Sequence, residues 1–477
     1  MRTTREYTLE NPKKFKQQLL SWSSQFSELA WLDSNDYPRQ EAAFDAILAA
    51  QAFTLIKTDY HDAFEKLKEY QETIADWIFG YLSYDLKNDV EELNSNNYDG
   101  LEFPDLYFFQ PAKLIQIVND KAVFHYLKMV DDEMDSDFEE IGLVESGERR
   151  EESPDLVESG ERREKSQGVE KEDRGQRAED RRVESGEKRV ESTDAGEAVS
   201  GYVNRIVPRI SKEQYLEKVN KMLSYIHRGD IYEANFCQEF FAENREIEPM
   251  QVFRKLNDIS ISPFAVYLKL GENYLLSASP ERYIKKKDQK IYSQPIKGTA
   301  PRSANLEEDA KIAENLANDP KERSENIMIV DLVRNDLSRI AKKGSVKVEE
   351  LCKVYSFKQV HQMISTISAE VDEVIPAVEI LRSTFPMGSM TGAPKISAMK
   401  IIEELEETKR GLYSGAVGYF TPQGDFDFNV VIRSILYNSA RKYVSFSVGG
   451  AITSKSVPEK EYEECLLKAR AMRQVLS

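Results

Sequence analysis

The sequence predicts a mixed α+β protein, on three observations. Apolar strand-like runs follow one another directly in several places. Amphipathic helical stretches separate the groups of runs. The strict strand–helix alternation that builds a parallel sheet does not occur. In the first 140 residues, helical periodicity spans residues 11–25 and 60–74, and strand-like runs cover 53–56, 106–109, 114–118 and 122–127. Beyond residue 210, Ser211 to Arg228 reads as an amphipathic helix with Ser211 as its N-cap. Strand-like runs follow at 264–270, 274–278, 289–293, 345–351, 416–420, 426–436 and 443–450. Helices are predicted over 306–318, 321–340, 377–382, 394–406 and 459–475.

The chain has 477 residues, a net charge of −18 and a mean hydropathy of −0.55. No run approaches the roughly 20 apolar residues of a membrane helix. The opening MRTTREYTLENPKKF lacks the apolar core of a secretory leader, so the expected compartment is the cytoplasm. The acidic balance disfavours nucleic acid, whose phosphates need a basic face. Cys237, Cys352 and Cys465 lie far apart, which argues against a disulfide scaffold or a structural zinc site.

Residues 139–198 carry 20 acidic and 12 basic side chains, a net of −8, and no aromatic residue occurs between Phe138 and Tyr202. The unit VESGERRE at 144–151 recurs at 157–164 and, varied, at 183–190. One apolar residue in about eight cannot build a core, so the expectation is a disordered, low-complexity insert, removable with little effect on catalysis. It divides the chain into an N-terminal region 1–138, an insert 139–200 and a catalytic region 201–477.

The catalytic region holds the candidate chemistry. Glu322 with Glu325, and Glu461 with Glu464, are pairs spaced by three on predicted helices, so each pair shares a face. Two such faces opposed would offer the hard oxygen ligands that Mg²⁺ prefers; in so acidic a chain, two solvated helix faces would look the same. PIKGT at 295–299 places Lys297 at a strand end beside Gly298, facing a cleft or forming a surface turn. SPER at 279–282 puts Glu281 where it could serve as a general acid. FPMGSMTGAPK at 385–395 is a Gly-rich loop opening a helix, and Gly449 and Gly450 end a strand. Both could present backbone amides to a carboxylate or be ordinary turns. His361, one of four histidines, could equally be structural. Neither a dinucleotide-binding nor a P-loop glycine motif is present.

Taken in order, SPERY, PIKGT, KERSENIMIVDLVRNDL, FPMGSMTGAPK, SGAVGYF, VVIRS, VGGAIT and EYEECLLKARAM resemble the chorismate-utilising enzymes, the anthranilate synthase component I-like family. The resemblance implies two antiparallel sheets packed as a sandwich, with helices outside and the active site in the cleft between. It implies Mg²⁺ held by Glu325 and Glu464, with Glu322 and Glu461 alongside, and chorismate as substrate. Arg433, Tyr419 and the amides of Gly449, Gly450 and Ala451 would hold the enolpyruvyl carboxylate. Gly298, Thr299, His361, Ser389 and Lys468 fall on substrate-site positions.

Anthranilate synthases carry alanine in PIAGT where this chain has Lys297. The lysine is similar to the branch that replaces the C4 hydroxyl of chorismate with an amino group, using Lys297 as nucleophile and Glu281 as general acid. The alternatives are C2 amination to anthranilate and a catalytically silent chorismate-binding subunit. Burial beside a divalent cation would lower the lysine pKa and free the amine. Ammonia would come from a separate glutamine amidotransferase subunit, since nothing in the chain resembles a glutaminase.

Three positions depart from the family pattern. Ala451 stands where glycine is common, and Ser389 where threonine is common. Glu233, in GDIYEANF, stands where ammonia-using members often have glutamine and water-using members lysine. Some relatives hold tryptophan between two segments that correspond to residues 31–34 and 261–263. The WLDS here differs from the LLES of feedback-inhibited members, so a bound tryptophan would be structural more than inhibitory.

Overall fold

The computed structural model describes residues 1–37, 44–144 and 205–477. Residues 139–143 of the expected insert instead end the helix Met134–Leu143, because Ile141 is fully buried in the core and the Gln18 side chain donates to the Gly142 carbonyl; residues 145–200 of the expected insert lie outside the described residues. The described chain is α+β, and every pairing between its strands is antiparallel.

Two long strands, Ala46–Thr58 and Leu106–Val118, pair along nearly their whole length and organise the molecule. The second half of Leu106–Val118 continues to Lys121–Leu127 and then Arg2–Thr8. Its first half pairs with Ile78–Leu82 instead, and that strand passes the sheet on to Ala416–Phe420, Phe426–Val430 and Arg282–Lys287. From there Lys290–Gln294 leads to Val360–Glu370, which carries both Ile296–Pro301 and Lys347–Ser356. On the other edge, Ala46–Thr58 pairs with Glu28–Asp33, followed by Phe264–Leu270, Asn273–Ser279, Ser434–Asn438, Tyr443–Thr453 and Glu233–Ala242. The two sheets of the sandwich therefore share strands, so a single hydrogen-bonded network folds over on itself.

Alternation along the strands decides which core each side chain enters. Ile47, Ala49, Val266 and Leu268 join Ile284, Ile291 and Ile367 of the other sheet in the core between the layers. Their neighbours Leu29, Trp31, Leu48 and Tyr267 face outward and are covered by Lys212–Arg228, Pro249–Ser260 and Pro458–Val475. The first of these helices starts as its sequence suggests. Ser211 caps it in a capping box with Gln214, and Gly229 ends it with φ +91°.

Where structure and sequence reading differ, the reasons are physical. The runs 106–109 and 114–118 form one strand through Pro111. The run 426–436 splits at Val431–Arg433, with Arg433 at φ +51°, costly for a non-glycine residue and therefore imposed by its surroundings. Lys297 does not follow a strand at a turn; it lies inside Ile296–Pro301, at an irregularity between Ile296 and Thr299. The double glycine does not end its strand, which continues to Thr453. The segments 31–34 and 261–263 are brought together, with the Asn35 side chain donating to the Ser262 carbonyl at 2.7 Å.

Candidate active site

The site forms where the sandwich opens. Tyr443–Thr453 pairs with Ser434–Asn438 over only three residues, up to Ser445, but with Glu233–Ala242 along ten. Beyond Ser445 one edge of Tyr443–Thr453 therefore has no strand beside it among the described residues. Alternate amides around Gly449, Gly450 and Ala451 face that opening, so the strand edge, not a free loop end, offers donors to an anion. Arg433 immediately precedes Ser434–Asn438, and its carbonyl accepts from the Ala278 amide at 3.2 Å. That bond places it beside the turn that carries Glu281.

Lys297 lies with its Nζ 3.2 Å from Oε1 of Glu233, the first residue of Glu233–Ala242. Burial pushes the lysine pKa down, but the negative charges of Glu233, Glu325 and Glu281 outweigh it, and the net direction is up. In the protein by itself three carboxylates thus act on one ammonium. Gly298 takes φ +92°, and a side chain there would meet Glu322 Oε2 and Leu316 at 3.2 Å. Glycine lets this strand turn past the acidic helix.

Glu281 is 5% exposed, and burial raises its carboxyl to about 7, against the opposing effects of a Ser389 hydrogen bond, Lys297 and Arg433. A carboxyl at that value can hold a proton at neutral pH and give it to a leaving group. Behind it lies a cavity of about 20 Å³ lined by Glu281, Tyr283, Asp336, Thr384 and Ser389, enough for one water. Ser389 sits in a helical turn, Gly388–Met390, whose carbonyl at Ser389 receives the Asn235 side-chain amide at 3.0 Å.

The two acidic pairs lie on Pro320–Ser338 and Pro458–Val475. Lys321 feels the charge of all four glutamates, and its Nζ is 3.8 Å from Glu325 Oε1. Burial raises Glu325 to about 7 and also moves Glu322 and Glu461 upward. Glu464 ends below its usual range, since the Lys468 ammonium at 2.8 Å outweighs its burial. Among the described residues no three acidic, histidine or cysteine side chains already form a metal cluster. Glu325 Oε1 is nevertheless buried without a hydrogen-bond partner. The Lys321 ammonium at 3.8 Å is too far to hydrogen-bond it, which leaves room for a closer cation, and the all-carboxylate donor set suits Mg²⁺. Lys468 also donates to the Gly449 carbonyl at 2.9 Å, tying the acidic helix to the open strand edge. A side chain at Gly450 would lie 3.5 Å from Glu461 and 3.9 Å from Glu464.

The remaining candidates are distributed differently. Thr299 is exposed on the lysine strand, opposite Gln362. His361 is buried with both ring nitrogens engaged, by Asp309 at 3.0 Å and Ser356 at 2.8 Å. Tyr419 packs its ring against Phe44, Trp77 and Phe79, and none of these ring contacts is with the Lys297–Glu281 group. Gln362 was not singled out from sequence, yet it is 1% exposed and its side-chain nitrogen has no partner. Its only sequence signal is a polar residue inside an apolar strand pattern.

An open cleft between two antiparallel sheets, holding a lysine among carboxylates, agrees with the family matched by sequence. The model of a chorismate binding enzyme matches residues 28–474, and the chain belongs to that family. It is 44% identical over 255 residues to aminodeoxychorismate synthase component 1 of Klebsiella aerogenes, covering 54% of this chain and 56% of that one. It is 43% identical over 267 residues to the Escherichia coli K12 protein of the same name, covering 56% and 58%. The chain thus spans about half the length of these relatives. It is 36% identical over 395 residues to anthranilate synthase component 1 of Thermus thermophilus, covering 83% and 76%. In fold it is similar to anthranilate synthase component I of Streptococcus pneumoniae, with a TM-score of 0.68 at 23% identity, covering 92% of this chain and 94% of that one. It is also similar to the menaquinone-specific isochorismate synthase of Escherichia coli, with a TM-score of 0.67 at 15% identity, covering 100% and 95%.

Proposed function

We propose that the protein is component I of an aminodeoxychorismate synthase. It would replace the C4 hydroxyl of chorismate with an amino group from ammonia, giving 4-amino-4-deoxychorismate for p-aminobenzoate and folate synthesis. The observation that carries the reading is Lys297, its side chain 12% exposed, paired with Glu233 and within the field of Glu281 in the cleft of a chorismate-binding fold. Its ammonium must lose a proton before the amine can attack ring C2. Glu281, held near 7, would protonate the departing C4 hydroxyl. Ammonia would then displace the lysine at C4, so two displacements give retention. Arg433, Tyr419 and the amides around Gly449, Gly450 and Ala451 would orient the enolpyruvyl carboxylate. Gly298, Thr299, His361, Ser389 and Lys468 would line the rest of the site.

Glu325 and Glu464, with Glu322 and Glu461, would hold Mg²⁺, which would neutralise the ring carboxylate. A separate glutamine amidotransferase subunit would supply the ammonia. No helix among the described residues is long and apolar enough to cross a membrane, and we place the enzyme in the cytoplasm. The region 201–477 would carry the catalytic groups, 1–138 would complete the sandwich, and the repeated stretch 146–192 would be dispensable.

Similarity to an anthranilate synthase over most of the chain supports a second reading, amination at C2. Incubation with chorismate, Mg²⁺ and ammonia separates the two. Anthranilate fluoresces directly, whereas aminodeoxychorismate yields p-aminobenzoate only after a lyase is added. Anthranilate from the unmodified protein would overturn the C4 assignment. Glu464→Gln should lower Mg²⁺-dependent turnover by orders of magnitude, and unchanged turnover would remove that residue from the metal site.

A further inference from the structure

Glu233 is a carboxylate where the family pattern offers glutamine or lysine, and its surroundings are specific. It is 2% exposed. One oxygen, Oε1, meets Lys297 Nζ at 3.2 Å, while Oε2 is buried without a hydrogen-bond partner. Among the described residues Lys297 is its ion-pair partner. Its backbone is clamped from two sides, opposite Thr453 on one strand and Ala393 on the other. At Gly392 a side chain would come within 2.2 Å of the Glu233 carbonyl, so that loop closes directly over the residue. A carboxylate in a tight site, bonded through one oxygen with the other left over, has spare capacity for a proton. A structural carboxylate buried to this degree ordinarily satisfies both oxygens.

We propose that Glu233 is the catalytic base for Lys297, taking the ammonium proton as the amine attacks. The proposal rests on the reading of Lys297 as nucleophile. The steps balance. The Lys297 ammonium gives one proton to Glu233, and the neutral amine forms a bond to ring C2 as the double bond shifts and the C4–O bond breaks. The departing hydroxyl takes the Glu281 proton and leaves as water. The adduct is a secondary ammonium. When ammonia bonds to C4, the C2–N bond breaks and Lys297 departs as a neutral amine. Glu233 returns its proton to that amine, and the new C4 ammonium restores the proton to Glu281. Glutamine in place of Glu233 could hold the lysine by a hydrogen bond but could not accept its proton.

The test is single-turnover formation of the chorismate–Lys297 adduct without ammonia, followed by peptide mass across pH 6 to 9, with Mg²⁺ present. Glu233→Gln should slow the adduct about 100-fold at neutral pH, the lower end of a general-base contribution. Its rate should rise with pH as solvent takes over the proton, while chorismate affinity measured by calorimetry stays the same. Glu233→Asp should recover part of the rate, and it carries the test if the glutamine variant does not fold. An adduct on the wild type with the same rate and pH profile in Glu233→Gln would overturn the base assignment alone. Absence of any adduct on wild-type Lys297 would overturn the nucleophile reading, and this proposal with it.

Discussion

Two half-buried lysines, Lys297 and Lys395, have opposite surroundings. Lys395 donates to Asp336 at 2.6 Å, the Pro386 carbonyl at 2.9 Å and the Thr384 carbonyl at 3.3 Å. Its three donors are matched by three acceptors, so it pins the Gly-rich loop to the helix Pro320–Ser338. Burial, with help from Arg339, drives its pKa down despite Asp336. Lys297 has a single described hydrogen bond at 3.2 Å but three carboxylates nearby, and its pKa moves up. A lysine whose donors are all used is a tie. A lysine held by charge, with donors to spare, can leave its partner and react.

The sharpest break of this comparison is chemical. Lys297→Ala should abolish the adduct and lower C4 amination by at least about 1,000-fold, since a covalent route is lost. Lys297→Arg should not restore activity, because guanidinium stays protonated. C4 amination at the normal rate in the alanine variant would make Lys297 a second tie.

Lys395→Met should behave the other way. It leaves Asp336 buried without its cation, which costs about 3–5 kcal/mol. Denaturant unfolding should register that loss. A stable Lys395→Met protein with impaired chemistry would reverse the two roles.

Glu281 offers a pH test. Its folded pKa, about 7, is raised above the ordinary 4.5, so the folded state binds the proton more tightly. The stability it contributes is full below about pH 4.5 and is lost as pH rises through 7, a change of about 3 kcal/mol at 1.36 kcal/mol per unit. Glu281→Gln should remove that part of the pH dependence of unfolding. Turnover of the unmodified enzyme should also fall above pH 7 as the acid is lost.

The smallest effect is a control far from the cleft. Ser211→Ala removes the capping box of Lys212–Arg228 and should cost about 1 kcal/mol without changing chorismate turnover.

Local signals made much of this legible. Ser211 caps its helix as expected, and the acidic spacing in Glu322/Glu325 and Glu461/Glu464 marked two pairs whose charges both act on Lys321. Strands carrying unusual residues were missed. Ile78–Leu82 contains Gly80, which reads as a breaker, yet a side chain there would lie 1.9 Å from the Tyr107 carbonyl. Arg2–Thr8 is polar because it lies at a sheet edge. Contacts across long separations left no local trace. The Glu233–Lys297 pair joins residues 64 apart, and the break at Arg433 is imposed by packing that no window of sequence contains.

The shared strands Ala46–Thr58 and Leu106–Val118 have a consequence for assembly of the chain. Ile78–Leu82 lies between Leu106–Val118 and Ala416–Phe420, so the first 144 residues supply a middle strand to a sheet completed more than 300 residues later. Such high contact order makes folding slow, and it makes each half a poor folding unit by itself. Fragments 1–144 and 205–477, produced separately, should remain incompletely folded apart and regain the sandwich on mixing. The enzyme is thus suited to fragment complementation, with recovered turnover reporting that the two pieces have found each other.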